Sequence, residues 1–401
     1  MIACIIVLAL FGCGPTQQAP EIDDVLALEW DAIVEQARGS RVVFGMWTGD
    51  PLINDYVQGW VADHLRETYD IELEVVSAQG NEIVNLLLTE LEGGKAVSEI
   101  DFVWINGETF YQLRQIEALA GPFTDKLPNA ALVDFDNPFI GYDFQQPIEG
   151  FEAPWGNVQL ALIYDTERVS EPPRTREALA EWIRANPGRF TWDSQFTGMT
   201  FLKSLLIDVA GGPGAFAGSF DPDTYDRARN DLFDWLRDLQ PDLWKGGASF
   251  PVDVAQLHQL FANDEIDFTM SNNDGEVDNK VMQGILPETS RAYVLDSGTI
   301  RNSHYLGLVD RGAHPAGALV AINFLLSPEA QFHKFQPAVW GDGTVLDIDR
   351  LPADWQEKFR NVPGRERSPS REAIADRALM EPASEVMLRM YEDFRSELVE
   401  R

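Results

Sequence analysis

Trp47, Trp155 and Trp340 offer rings on which a planar or cationic molecule can stack, and Asp50, Glu108 and Asp296 offer carboxylates to balance its charge. With 11 Trp in the chain, the same rings serve core packing equally well. Thr197-Gly198 stands just before an apolar stretch that reads as a helix. Thr197 suits an ordinary N-cap there, and the unpaired N–H groups of that first turn suit an anionic ligand group. Both uses stay open.

Bond-breaking chemistry finds less. Val294-Leu295-Asp296-Ser297-Gly298-Thr299 carries the local pattern of an aspartic protease, in which two aspartates share a proton and activate water. That chemistry needs a second copy in β-rich structure, and this chain has one copy in an α/β pattern. The other reading is a hinge strand whose Gly298 lets backbone approach a ligand, with Asp296 and Thr299 beside it. An exported hydrolase of glycans or peptides, built on Asp296 and cleft carboxylates, is the function class that competes with binding.

The five histidines, His64, His258, His304, His314 and His333, lack metal-ligand spacing; His304, next to Asn302 and Ser303, is best placed to meet a ligand. Asn272-Asn273-Asp274-Gly275 lacks the bidentate Glu of a calcium loop, and Gly211-Gly212-Pro213-Gly214 lacks the Lys-Ser/Thr of a phosphate loop. No metal, cofactor or catalytic residue is expected, and Asn272 and Asn302 are expected among the ligand contacts.

These side chains need a scaffold that gathers them. Arg41 to Trp47 reads as a strand, followed by an amphipathic helix with Ile53, Val57, Trp60, Val61 and Leu65 on one face. Ile71, Leu73 and Val75 alternate as a second strand, and a helix carrying Ile83, Leu86, Leu87 and Leu91 stops at Gly93-Gly94. Ile100 to Ile105 is a nearly continuous apolar strand, as expected when both faces are covered. This βαβαβ order predicts a parallel sheet with ligands beyond its carboxyl ends. The loops there are Trp47-Thr48-Gly49-Asp50, Ser77-Ala78-Gln79-Gly80 and Asn106-Gly107-Glu108.

A second α/β block is expected after Ala153-Pro154-Trp155-Gly156, starting with a strand from Val158 to Tyr164. It holds helices near Arg176 to Ala185, Gly198 to Ala210, Tyr225 to Leu239 and Val252 to Ala262, and strands near Arg189 to Trp192 and Ile266 to Met270. The chain returns through Arg291 to Asp296 and Tyr305 to Val309, then a helix from Ala316 to Leu326; the end, from Leu351, reads as charged helices. The expected units are lobe 1 at 41–155 with 297–336, lobe 2 at 156–296, and a helical segment at 337–401 packed on both.

The formal charge of −34 is spread along the chain, which argues against a nucleic-acid partner. It suits either a solvated acidic surface or a field that attracts cations. The only cysteines, Cys4 and Cys13, lie at the N-terminus, so no disulfide holds the body. Ile2 to Phe11 is apolar, too short to span a bilayer and suited to a signal-peptide core. Leu10-Phe11-Gly12-Cys13 resembles a bacterial lipobox, which implies a signal peptide over 1–13 and a lipid on Cys13, followed by a tether and N-terminal helix over 14–40; a buried N-terminal strand is the other use of the apolar stretch.

Phe102 to Glu108, Gly121-Pro122-Phe123-Thr124, Ala153 to Gly156, Tyr293 to Ile300 and Pro337 to Asp342, in that order, resemble the YnjB-type solute-binding proteins. Phe324 to Gln331 adds a pattern seen in family 1 extracellular solute-binding proteins. The resemblance implies a type II periplasmic-binding-protein fold, two interleaved α/β lobes around a ligand cleft. It also implies a monomeric carrier that works with an ABC permease and its ATPase, with kin among thiamine-, iron- and polyamine-binding proteins.

Overall fold

The computed structural model describes residues 22–363 and 365–400, so the apolar N-terminal stretch and Cys13 lie outside the described residues. Strands β1 (Arg41–Met46), β2 (Glu72–Ser77) and β3 (Phe102–Ile105) run parallel with β1 in the middle. After β1 the Asp50 carboxylate accepts from the Leu52 and Ile53 amides, capping a helical run that Pro51 opens. The helix Asn81–Glu92 joins β2 to β3 and buries Ile83, Val84 and Leu87 on its inner face. The expected βαβαβ unit is present, and its loops meet at one end of the sheet.

A two-residue hairpin, β4 (Tyr142–Asp143) and β5 (Gln146–Pro147), precedes β6 (Glu152–Gln159), which is buried throughout. The expected single strand from Val158 to Tyr164 is interrupted at Leu160, where the chain leaves the first sheet and begins β7 (Ala161–Asp165). Strands β8 (Phe268–Ser271) and β9 (Ser290–Tyr293) flank β7 on either side, both antiparallel, as a second sheet. The chain then returns through β10 (Thr299–Leu308), which lies antiparallel to β3 and to β6 in the first sheet.

Two expectations fail here. Arg189 to Trp192 joins no ladder: its first carbonyls are taken one at a time, Arg189 O by the Asp267 amide and Phe190 O by the Trp244 amide. Leu379, read as part of a C-terminal helix, sits in β11 (Ala378–Leu379), a short strand parallel to the start of β10.

The cores follow the sheets. Phe44, Phe102, Trp155, Leu306 and the helix Pro315–Leu325 close one face of the large sheet, while Ile83, Leu87, Val103 and Phe110 close the other. The helix Phe196–Val209 packs with Leu162, Phe268, Leu232 and Phe261 under the small sheet. The last segment divides: Phe359 joins the core of the large sheet, whereas Val386, Met390 and Phe394 of the helix Ser384–Phe394 join that of the small one.

Candidate functional site between the two sheets

The loops at the carboxyl ends of β1 and β3 face the helices of the small sheet. In the first loop the Trp47 indole lies back over Gly49, where a Cβ would fall 2.3 Å from the ring, so only glycine fits beneath it. Thr48 Oγ1 shares a 2.7 Å hydrogen bond with Ser77 Oγ, tying the loops after β1 and β2. In the third loop the carbonyl of Asn106 accepts from the Thr109 and Phe110 amides and starts the helix Gly107–Gln115. Gly107 is there for clearance as well, since a Cβ would meet the Phe144 ring at 2.1 Å.

Trp155 and Trp340 meet in a ring cluster with Trp104 and His304, centroids 5.1 to 5.8 Å apart. The sequence reading missed Trp104, whose place as a ring in the apolar run Phe102 to Ile105 was the available signal. Behind the cluster Asp342 Oδ2 accepts from Lys334 Nζ at 2.5 Å, and His304 Nε2 lies 3.2 Å away. Burial alone would raise the Asp342 carboxyl; Lys334 and His304 outweigh it and hold the group well below the usual carboxylate range. Asp342 is therefore an anion already paired with the Lys334 ammonium.

Across the gap, Asn272 Nδ2 donates to Thr197 Oγ1 at 3.0 Å, so these two expected contacts are neighbours. Thr197 is not the cap: the helix begins at Phe196, and the Asp193 carboxylate already accepts from the Gln195 amide at 2.9 Å. Gly198 has no room for a side chain, a Cβ lying 1.8 Å from the Asp193 carbonyl oxygen. Burial pushes the Asp193 carboxyl up to about 6. A carboxylate seated on this first turn takes the position expected for an anionic ligand group.

Several bonds join the two sides. Lys280 Nζ of the helix Glu276–Met282 pairs with Asp50 Oδ2, with both side chains buried, and Glu276 Oε1 lies 3.5 Å from the same ammonium. Burial would raise the Glu276 carboxyl, but Lys280, His258 and Ser271 together bring it down to about 2. Asn279 Nδ2 donates to the Trp340 carbonyl at 3.0 Å, and Ser384 Oγ to the Gly107 carbonyl at 3.0 Å.

Glu108 belongs to a buried group of acids with Asp143, Glu152 and Glu381. Lys203 Nζ, on the helix Phe196–Val209, is 2.5 Å from Glu381 Oε2, and Asn302 Nδ2 holds Glu381 Oε1 at 3.0 Å. Burial, ahead of the opposing pull of Lys203, pushes the Glu108 carboxyl up to about 7. Burial and then neighbouring carboxylates raise Asp143 and Glu152 well above the usual range. Lys203, Glu381, Asp143 and Glu152 escaped the sequence reading because nothing in their local patterns marks them.

Two expected contacts lie elsewhere. Thr299 is fully buried at the crossover, its hydroxyl donating to the Leu160 carbonyl at 2.7 Å. Asp296 is on the surface, its side chain 52% exposed and 4.0 Å from Arg377 Nη1. Among the described residues no group of three or more His, Cys, Asp or Glu is arranged to hold a metal ion, and no helix is long and apolar enough to cross a membrane.

Comparison with known proteins agrees with this architecture. The Tp0655 (TpPotD) lipoprotein of Treponema pallidum superposes with a TM-score of 0.64 at 12% identity, over 90% of this chain and all of that one. The periplasmic binding protein AfuA of Actinobacillus pleuropneumoniae, solved with fructose-6-phosphate, gives 0.63 at 12% identity over 90% and 98% of the two chains. These likenesses show the type II periplasmic-binding-protein fold. Sequence goes further: Protein YnjB of Escherichia coli is 35% identical over 339 residues, 84% of this chain and 87% of that protein. The family profile described as bacterial extracellular solute-binding protein matches residues 60–359. On sequence and architecture together, the chain belongs to the bacterial extracellular solute-binding proteins.

Proposed function

We propose that the protein captures a small solute between its two sheets outside the cytoplasm and delivers it to an ABC permease and its ATPase. It does so without chemistry of its own. Binding closes the two lobes about Leu160 and the stretch from Val294 to Gly298, and the closed form is what the permease meets. The Asp50–Lys280 pair carries this reading, because it ties a ligand-side loop of one sheet to a helix of the other. The carrier acts as a monomer, held at the membrane by a lipid on Cys13; Cys13→Ser should move it from the membrane fraction to the soluble one.

The proposed solute is a nitrogenous cation, thiamine-like in combining a planar ring with positive charge. Support comes from the half-buried Trp47 and Trp104 rings and from acids that outnumber the cations around Glu108. The carboxylate that fills the first turn of the helix Phe196–Val209 disfavours an anionic solute at that point. A thermal-shift panel of thiamine, 1,4-diaminobutane and fructose 6-phosphate tests it. The cations should raise the melting temperature and the sugar phosphate should not; the reverse result overturns the cation assignment.

A further inference from the structure

Glu108, Asp143, Glu152 and Glu381 come from four separate stretches of chain, and they are at most 8% exposed. Glu108 Oε2, Asp143 Oδ2 and both carboxylate oxygens of Glu152 have no hydrogen-bond partner. Leaving a buried acceptor unsatisfied is costly, so four together call for something that binds oxygen: protons or a cation.

Lys203 shows what the place accepts. Its buried ammonium sits on Glu381 and over two rings, 4.2 Å from the Phe144 centroid and 5.6 Å from that of Phe196. The charged and titratable groups facing the acids are few. They are Lys203 from the helix Phe196–Val209, Arg114 from the helix Gly107–Gln115, Tyr305 from β10 and Tyr391 from the helix Ser384–Phe394. Burial raises both phenols, which stay protonated. Two cations face four carboxyl groups.

There is room for a guest beside them. A cavity of about 440 Å³ opens between Tyr111, Phe144, Gln145, Phe220 and Ser384, within the range of about 300–1,000 Å³ usual for small-molecule sites. Phe144 lines this cavity and also packs on Lys203, so its ring stands between the open space and the acids. Gln145 holds the hairpin tip in place, donating to the Glu381 carbonyl at 2.6 Å and accepting from the Gly218 amide at 3.0 Å.

We propose that this carboxyl cluster is a subsite for the ammonium group of an organic amine whose body occupies the cavity beyond Phe144, and that docking expels protons to solvent. The inference rests on the cationic-solute reading above. Burial and the crowding of like charges favour the protonated form of these carboxyls, and an arriving R–NH₃⁺ takes the place of such acid protons. For each carboxyl that ionises, one O–H bond breaks, the carboxylate keeps the electron pair, and one proton passes to buffer.

The test is isothermal titration calorimetry of the full chain with 1,4-diaminobutane at pH 6.5, in two buffers of different ionisation enthalpy. Release of about one proton or more per ligand is expected, seen as a buffer-dependent heat. Asp143→Asn and Glu108→Gln should each weaken binding about tenfold and lower the proton count, while Asp31→Asn, on the exposed face of an N-terminal helix, changes neither. Binding with the same heat in both buffers overturns the subsite and leaves the cationic-solute reading standing. No binding of the diamine, with thiamine bound and no protons released, also overturns it; no binding of any cation overturns both. The buffer comparison needs only the wild-type chain, so a variant that fails to fold does not remove the test.

Discussion

Lys280 of the small-sheet side meets Asp50 of the large-sheet side, with both side chains under one-tenth exposed. Asp50 does double duty, since its other oxygen caps the helical run that follows β1. Lys280→Met leaves the Asp50 carboxylate buried without its partner, which costs about 3–5 kcal/mol. Asp50→Asn keeps the cap, because asparagine caps as well as aspartate. Glu276 loses the same ammonium, so the double variant is expected to recover only the share of the Lys280→Met loss that falls on Asp50, measured as a double-mutant cycle in urea unfolding.

Gly156 lies where a Cβ would come within 2.2 Å of both Asp342 Oδ2 and His304 Nε2. Gly156→Ala should push these two apart at a cost of about 1–3 kcal/mol, and should alter the emission of the neighbouring Trp155. Gly59→Ala is the contrast: nothing stands within 4 Å of that position, so the helical chain there should gain about 0.5–1 kcal/mol. Chemical denaturation of the two variants checks the pair.

Glu108 makes stability fall with rising pH. Burial raises the folded carboxyl from 4.5 to about 7, so the folded state keeps a proton that the unfolded state releases. The contribution is whole below about pH 4.5 and is lost as pH climbs through 7, a swing of about 3 kcal/mol. Glu108→Gln should flatten this slope and melt higher than wild type at pH 8. Equal slopes in thermal melts across that window would contradict the assignment.

Glu276 acts with the opposite sign. Lys280, His258 and Ser271 hold its carboxyl at about 2 against the upward push of burial, from an ordinary 4.5. Its share of stability is present above 4.5 and disappears as pH falls toward 2. Glu276→Gln should thus lower the melting temperature at pH 7 and narrow the gap to wild type at pH 3.

Thr299→Val removes the hydroxyl that donates to the Leu160 carbonyl and accepts from Gln159 Nε2. The Leu160 carbonyl is then left buried without this donor, at about 1–3 kcal/mol, while Gln159 Nε2 keeps the Arg377 carbonyl. Amide hydrogen exchange should show faster opening at Leu160 and Ile300 in this variant.

Local periodicity made the parallel βαβ unit legible, because each strand and helix there buries one face of its own sequence. The loops that gather Thr48, Asn106 and Trp47 follow from that order alone. What stayed hidden depends on partners distant in sequence. Leu160 is apolar like its neighbours, so nothing local marks it as the point where one sheet hands over to the other. Phe190 and Trp192 have strand-like composition, yet single bonds from the Asp267 and Trp244 amides take the carbonyls of Arg189 and Phe190 that a ladder would need. The acids around Lys203 come from a helix start, a hairpin, a strand and the tail, and only tertiary packing brings them together.

The two crossover strands do not pass from sheet to sheet independently. β6 and β10 pair from Glu152 to Gln159, and the pairing continues to the junction itself, where the Leu160 amide donates to the Ile300 carbonyl at 2.8 Å. Gln159 is further pinned by its amide to the Asp274 carboxylate at 3.1 Å. A bonded two-strand ribbon resists stretching and sliding along its hydrogen bonds and yields most easily to flexing normal to its face. It behaves as a leaf spring rather than a pair of loose tethers, and flexing normal to its face is the motion that this ribbon resists least.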